Sequence, residues 1–430
     1  MSGSRYLRAI VSENRLFGRR AMPSYCTAHT DVLRAILGAY LDAAAPILIE
    51  ATCNQVNQFG GYTRMTPRDF RDLVIGLASD LGIHTDRIIL GGDHLGPNPW
   101  KNEPAAVAMA KASDMVRSYV AAGFTKIHLD ASMACADDAV LAEEEMALRA
   151  AVLCEVAEKT DGAGELQFVV GSEVPVPGGE TEGFDALAVT TPAAVQKTAD
   201  LHREAFRARR LDVAFAKVIA IVVQPGVDFS NSRILKFDRT NAAELSAAVH
   251  QIPGIAFEAH STDYQPGGAL AELVASHFAI LKVGPELTFA YREAVVAMAH
   301  IEEWLPCQRR SNVLFAIRKT MEKDPRHWRD YTADDNHAAA ARMFGLSDRI
   351  RYYWPYGEIQ EAVRMLRSNI DRAAIDPGLI AQYVRDIDPM GSARGLSHSE
   401  AIIQASVSAV VRKYRDACGD GGNARANEFG

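Results

Sequence analysis

Five apolar runs in this chain close on an acid or a histidine. Residues 46–50 end at Glu50, 87–94 at Asp93 and His94, 125–130 at Asp130, 167–173 at Glu173 and 254–260 at His260. Carboxylates and imidazoles can together hold a divalent metal ion, move protons, or both. Left unpaired in an apolar interior, each ionised group would cost several kcal/mol, so packing alone does not explain the set. Asp93 and His94 follow Gly91 and Gly92, which let the backbone turn tightly. An acid next to an imidazole suits a metal ligand with an adjacent proton carrier. His94 and His260 are therefore candidate metal ligands, with Glu173 a further one, and Asp93, Glu50, Asp130 and Glu173 are candidate acid–base groups. Strand side chains alternate faces, so His128 shares a face with Asp130, Glu258 with His260, and Glu50 with Thr52.

The segments after these runs carry binding chemistry. Residues 171–179 hold two prolines and two late glycines, a rigid rim beside Glu173. Residues 50–61 are rich in amides, and Asn54 is a candidate to bind sugar hydroxyls. Ser261, Lys282 and the Gly284 amide end the last two runs, where they could meet a phosphate. Residues 349–355 are basic and aromatic, and pack the later part of the chain or lend Arg or Tyr to a substrate. Neither GxGxxG nor GxxxxGK[ST] occurs in a helix-opening position, so nucleotide binding by those routes is unsupported.

Positioning so many strand-end groups at one place requires a particular frame. Apolar runs at 22–27, 46–52, 87–92, 125–130, 167–173, 213–223, 254–260 and 278–283 alternate with helical patterns such as 30–43, 67–81, 103–122 and 140–158. Eight alternating units predict an α/β fold, a closed (β/α)8 or TIM barrel, in which C-terminal strand ends converge on one mouth. The barrel is expected over residues 1–290. A C-terminal helical extension packed on it is expected over 291–415, and a disordered tail over 416–430.

Bulk properties narrow the function classes. Net charge is -8 with no basic stripe, which argues against a nucleic-acid partner. No apolar run reaches the ~20 residues needed to span a bilayer, and the N-terminus lacks the apolar core of a signal peptide, so no membrane association is expected. The six cysteines form no CxxC pair and read as free thiols, consistent with a cytoplasmic protein.

Six segments, residues 49–63, 91–98, 126–133, 173–179, 258–265 and 349–355, closely resemble the GatZ/KbaZ family, and the resemblance extends to about residue 415. Members of that family are described as accessory subunits of class II D-tagatose-1,6-bisphosphate aldolase. Some are labelled tagatose 6-phosphate kinases, and some act as D-tagatose 6-phosphate 4-epimerases. The resemblance implies a barrel related to class II aldolases, a sugar-phosphate substrate, a divalent metal ion, and an aldolase subunit as a possible partner. A homo-oligomer is a further possibility. Class II aldolases hold zinc with three histidines. Asp93-His94 matches the aspartate and first histidine of that pattern, Glu173 a glutamate, and His260 the last histidine. Val223 or Gln224 stands where the middle histidine would fall. The expected activity is C4 epimerisation between D-tagatose 6-phosphate and D-fructose 6-phosphate, an isomerase reaction of hexitol and galactitol catabolism. The alternative is a non-catalytic subunit that stabilises an aldolase.

Overall fold

A computed structural model describes residues 2–162, 164–172, 187–331, 338–385 and 395–419. Eight parallel strands close a barrel: β1 (Met22–Cys26), β2 (Ile47–Thr52), β3 (Ile88–Leu95), β4 (Lys126–Leu129), β5 (Gln167–Val170), β6 (Val218–Val222), β7 (Ala256–Ala259) and β8 (Phe278–Val283). Each pairs with its sequence neighbour, and β8 pairs with β1 to complete the ring. The predicted TIM barrel is therefore the observed fold. The run at 213–223 begins as a helical turn, Asp212–Phe215, so β6 starts only at Val218. A small two-stranded ribbon, Asp228–Phe229 with Ile234–Leu235, follows β6 and has no counterpart in the sequence reading.

Strands buried on both faces explain the near-continuous apolar runs. Outward-facing residues such as Ile49, Phe168 and Leu281 pack under the surrounding helices, in one continuous core. Inside the barrel, Met22, Leu48, Ile89, Val169, Ile219 and Ile280 form a separate apolar layer. Helix Gly3–Phe17 seals that layer from below by inserting Leu7, Ile10 and Val11. Burying each such side chain is worth about 1.5–3 kcal/mol. Ser2 caps the start of this helix, and Gly18, in the left-handed region at φ 60°, ends it. The barrel thus has a dry floor, and its polar groups are confined to the upper half.

The helix after β8, Pro285–Glu302, runs unbroken through residue 290, where the barrel was expected to end. The chain then forms helices Val313–Lys323, Ala338–Phe344, Gly357–Arg372 and Pro377–Tyr383 before the long helix His398–Ala417. That last helix returns to pack on Thr30–Gly38, Gly267–Ala275 and Pro285–Glu302, so the extension ends inside the barrel's own helical ring. Its Tyr414 hydroxyl, fully buried, donates to the Thr262 carbonyl at 2.7 Å. The expected tail from 416 begins within this helix, and Cys418 is buried; residues 420–430 lie outside the described residues. Among the described residues no helix is long and apolar enough to cross a membrane.

Candidate active site

The polar interior starts one layer above the apolar floor. Lys126 on β4 is fully buried, with its Nζ 2.7 Å from Glu50 Oε1 and 2.8 Å from Glu258 Oε2. Glu50 lies on β2, one strand removed from β4, with β3 between them. Gly91 on β3 is the residue paired with both Glu50 and Lys126. A Cβ at Gly91 would stand 2.7 Å from Glu50 Cγ, so only glycine leaves room for the Glu50 side chain to cross β3 to Lys126. Lys282 on β8 joins from the other side, 2.5 Å from Glu50 Oε2 and 2.6 Å from Asp93 Oδ1. A chain of alternating charge therefore runs across the barrel from Glu258 through Lys126, Glu50 and Lys282 to Asp93.

Above this chain sit three imidazoles. The rings of His94, His128 and His260 lie 4.9–5.2 Å apart, centre to centre, in a triangle. In a regular strand Asp93 and His94 would face opposite ways. The β3–β4 register shifts between Gly92 and Leu95, and His94 adopts a left-handed φ of 50°, which lets both side chains reach the site. Ser261, just after β7, is left-handed as well at φ 52°. Such conformations in non-glycine residues cost energy and cluster at functional sites.

Each imidazole has a distinct electrostatic setting. His94 Nδ1 lies 2.7 Å from Asp130 Oδ2, and its Nε2 lies 3.6 Å from Asp93 Oδ2. Burial pushes the His94 pKa down, but Asp93 and Asp130 outweigh it and raise it. Burial pushes Asp93 up, but His94, Lys282 and His128 outweigh it and hold the carboxyl well below the usual range. His260 behaves differently: burial drives its pKa down to about 3, against the pull of Glu258, whose Oε1 lies 2.9 Å from His260 Nε2. His260 is therefore neutral and keeps a lone pair on its other nitrogen. His128 Nδ1 accepts from the His94 N–H at 3.2 Å and lies 3.0 Å from Asp93 Oδ1, while its buried Nε2 has no hydrogen-bond partner among the described residues. The tautomer with its proton on Nδ1 would give up the His94 contact, donate to Asp93 and leave the Nε2 lone pair for a metal ion.

Asp93, His128, Glu258 and His260 present ligand atoms all within 4.8 Å of one another. Two neutral-capable imidazoles and two carboxylates form a donor set for a divalent cation. Charge supports the same conclusion: the buried carboxylates Glu50, Asp93, Asp130 and Glu258 outnumber the buried ammonium groups Lys126 and Lys282. The excess is two negative charges, which a dication would offset. The expected divalent metal ion thus has residues that fit it.

Of the expected ligands, His260 is in this candidate group. His94 lies beside the group, with its Nδ1 held by Asp130 and its Nε2 3.6 Å from Asp93 Oδ2. His128 supplies an imidazole from β4, while the place after β6 is occupied by buried Val223 and by Gln224, whose side chain accepts from the Gly226 and Val227 amides. Glu173 lies outside the described residues. Glu50 and Asp130 are buried, and neither lines the pocket at the mouth.

That pocket, about 700 Å³ of empty space partly open to solvent, is lined by Asp93, His94, His260 and Lys282 from the strand ends. Asn54, Ser261 and Gly284 also line it. The Gly284 N–H is already engaged, however, donating to Asp263 Oδ1 at 2.9 Å, and the Glu286 N–H donates to the same oxygen at 2.8 Å. Burial raises the Asp263 pKa to about 7. The remaining wall was less legible in the sequence: Tyr62 from the amide-rich segment, and Arg351 and Tyr352 from the extension. Lys126 was missed altogether. A lysine opening a strand reads as solvent-facing, and its burial follows only from carboxylates on two non-adjacent strands, β2 and β7.

The chain matches the model of the family described as D-tagatose-1,6-bisphosphate aldolase subunit GatZ/KbaZ-like over residues 7–419. It is 44% identical over 419 residues to the D-tagatose-1,6-bisphosphate aldolase subunit GatZ of Salmonella newport, covering 96% of this chain and 99% of that protein. It is 45% identical over the same coverage to the subunit of that name from Klebsiella pneumoniae. Among solved structures, a protein from Sinorhizobium meliloti described as a probable tagatose 6 phosphate kinase superimposes with a TM-score of 0.83. That likeness holds at 43% identity over 93% of this chain and all of that one.

Proposed function

On the premise that the chain belongs to the GatZ/KbaZ-like family of D-tagatose-1,6-bisphosphate aldolase subunits, we propose that it has an active site of its own: a metal-dependent ketohexose 6-phosphate 4-epimerase. The observation that carries this reading is the buried cluster at the mouth. A scaffold has no use for an ionised Asp93 on a pocket wall beside three imidazoles and an excess of buried negative charge.

Epimerisation can proceed by carbon–carbon cleavage and re-addition. A base takes the proton from the C4 hydroxyl, the C3–C4 bond breaks, and its electron pair passes to the C2 carbonyl. The fragments are the enediolate of dihydroxyacetone and glyceraldehyde 3-phosphate. The aldehyde turns, C3 attacks its other face, and the new C4 oxyanion takes a proton back, so atoms and charge balance without a co-substrate. Asp93 is the pocket carboxylate suited to accept the C4 proton, because its neighbours keep it ionised. Burial lowers the Lys282 pKa, but Asp93 and Glu50 outweigh it, so its ammonium, 2.6 Å from Asp93, helps keep that carboxylate ionised. Glu50 and Lys126 hold Lys282 and Glu258 in place from below. Asp130 orients His94. A divalent cation held by His128, Glu258 and His260, with Asp93 left to the proton, would supply electrophilic stabilisation of the charge that develops on the substrate.

A second reading has direct support from the comparisons. The relatives are named as aldolase subunits, which favours a protein that stabilises a separate class II aldolase. The kinase description of the Sinorhizobium meliloti protein has no matching phosphate loop in this sequence. One experiment separates the first two. The purified chain, alone, is given D-tagatose 6-phosphate and carbon-13-labelled dihydroxyacetone. The epimerase reading expects D-fructose 6-phosphate, with label at C1–C3 to the extent that the three-carbon fragment leaves the site before re-addition, and expects Asp93→Asn to lose ~10²-fold or more in turnover. No conversion, together with co-purification of a class II aldolase whose activity rises on binding, would establish the subunit reading instead.

A further inference from the structure

Two groups expected to hold a substrate phosphate are already committed. Lys282 is clamped between Glu50 and Asp93, and the Gly284 amide serves Asp263. A different cation faces the pocket. Arg351, on the turn Arg349–Tyr352 of the extension, is buried with 8% exposure, and among the described residues no carboxylate lies within ion-pair distance of it. Its guanidinium contacts are neutral: the Ser347 and Asp348 carbonyls and the Tyr352 hydroxyl, the last at 3.1 Å. By contrast, buried Arg149 and Arg292 are each paired with a carboxylate, Asp138 at 2.6 Å and Asp348 at 2.9 Å. A buried charge without a counter-ion is costly, and a ligand that supplies the counter-ion recovers that cost on binding.

Arg351 also marks a junction. It lines the mouth pocket and, with Tyr62 and Thr288, a second cavity that runs outward between β1 and the extension. That second cavity encloses about 1400 Å³, partly open to solvent. On its wall the Trp354 side chain, 5% exposed, has a buried Nε1 with no hydrogen-bond partner among the described residues. An indole N–H and a guanidinium without a carboxylate partner among the described residues, both on the wall of one cavity, ask for an oxygen-rich anion.

We propose that Arg351, with Trp354 Nε1, binds the phosphate of the substrate at the junction of the two cavities, so that the phosphorylated end points away from the strand ends. The site rests on the reading that the mouth takes a sugar phosphate, and it adds which residues hold the phosphate. The local field agrees with it: burial raises the Tyr352 pKa, but Arg351 and Arg349 outweigh it and pull the phenol down to about 8. The groups packed around this ring are Arg349, Arg351, Tyr62 and His327, all cationic or neutral.

The test uses the full chain with inorganic phosphate, fructose 6-phosphate and unphosphorylated fructose, by titration calorimetry. Phosphate and fructose 6-phosphate are expected to bind and fructose to bind at least about tenfold more weakly, with Arg351→Gln losing at least about tenfold for both phosphorylated probes. In the wild type, phosphate is expected to move the low-pH step of the tyrosine absorbance titration upward, and Tyr352→Phe to abolish that step. Because the wild-type titration needs no variant at Arg351, it stands even if Arg351→Gln fails to fold. Arg351→Gln binding phosphate like the wild type, or a tyrosine step that phosphate leaves unmoved, would overturn the proposal. Phosphate binding without epimerase turnover would remove the epimerase reading alone.

Discussion

Lys126→Met tests the buried charge chain on which the site rests. Lys126 is fully buried between Glu50 and Glu258, both themselves without exposed surface. Methionine fills a similar volume but leaves two carboxylates without that counter-charge. Breaking one side of a buried ion pair costs about 3–5 kcal/mol. Lys282 still lies 2.5 Å from Glu50 but 3.9 Å from Glu258, so Glu258 bears most of the loss. The lower part of that range, about 3–4 kcal/mol, is therefore expected. At ~2.1 cal/mol/K per residue, unfolding a chain of this size carries ~0.9 kcal/mol/K of entropy, so the melting temperature should fall by about 3–5 °C. Adding Glu258→Gln removes the stranded charge and should recover more than half of the loss. The assay is urea unfolding and calorimetry in chelator, so that metal binding does not mask the change. A loss under ~1 kcal/mol for Lys126→Met, or no recovery in the double variant, would refute the reasoning.

Three further outcomes are expected. His128→Asn removes an imidazole from the ligand set and should weaken divalent-cation binding at least about tenfold by calorimetry, while the fold survives by circular dichroism. Gly91→Ala places a Cβ 2.7 Å from Glu50 Cγ and should cost about 1–3 kcal/mol in urea unfolding, relieved in part by Glu50→Gln only if the crossing of β3 is the cause. His202 is buried away from the site, and burial lowers its pKa to about 4 from 6.5. The unfolded chain then binds the extra proton first, so the neutral His202 favours the fold above pH 6.5 and that stability is lost as pH falls toward 4. The loss is about 3 kcal/mol, and His202→Met should flatten the pH dependence of unfolding across that window.

The barrel was legible because alternation of apolar runs and helices is a local pattern repeated eight times. The strand-end acids and histidines were legible for the same reason, and Asp93, His94, His260 and Lys282 do meet at the mouth. The period-two spacing put His128 and Asp130 on one face, and Glu258 and His260 on one face, without saying which face points inward. That Asp93 and His94 both reach the site required the bulge between Gly92 and Leu95, which depends on pairing with the next strand. The pairing of Lys126 with Glu50 and Glu258, and the capture of the Gly284 amide by Asp263, depend on contacts between residues far apart in sequence. The same is true of Arg351, whose meaning comes from where the extension folds back.

The most direct test of the central claim is a coupled assay for D-fructose 6-phosphate from D-tagatose 6-phosphate, using the purified chain alone with a divalent metal ion. Product that disappears with chelator and returns with added metal is the predicted result. Absence of product across several metals, in protein that calorimetry shows to bind metal and sugar phosphate, would contradict it.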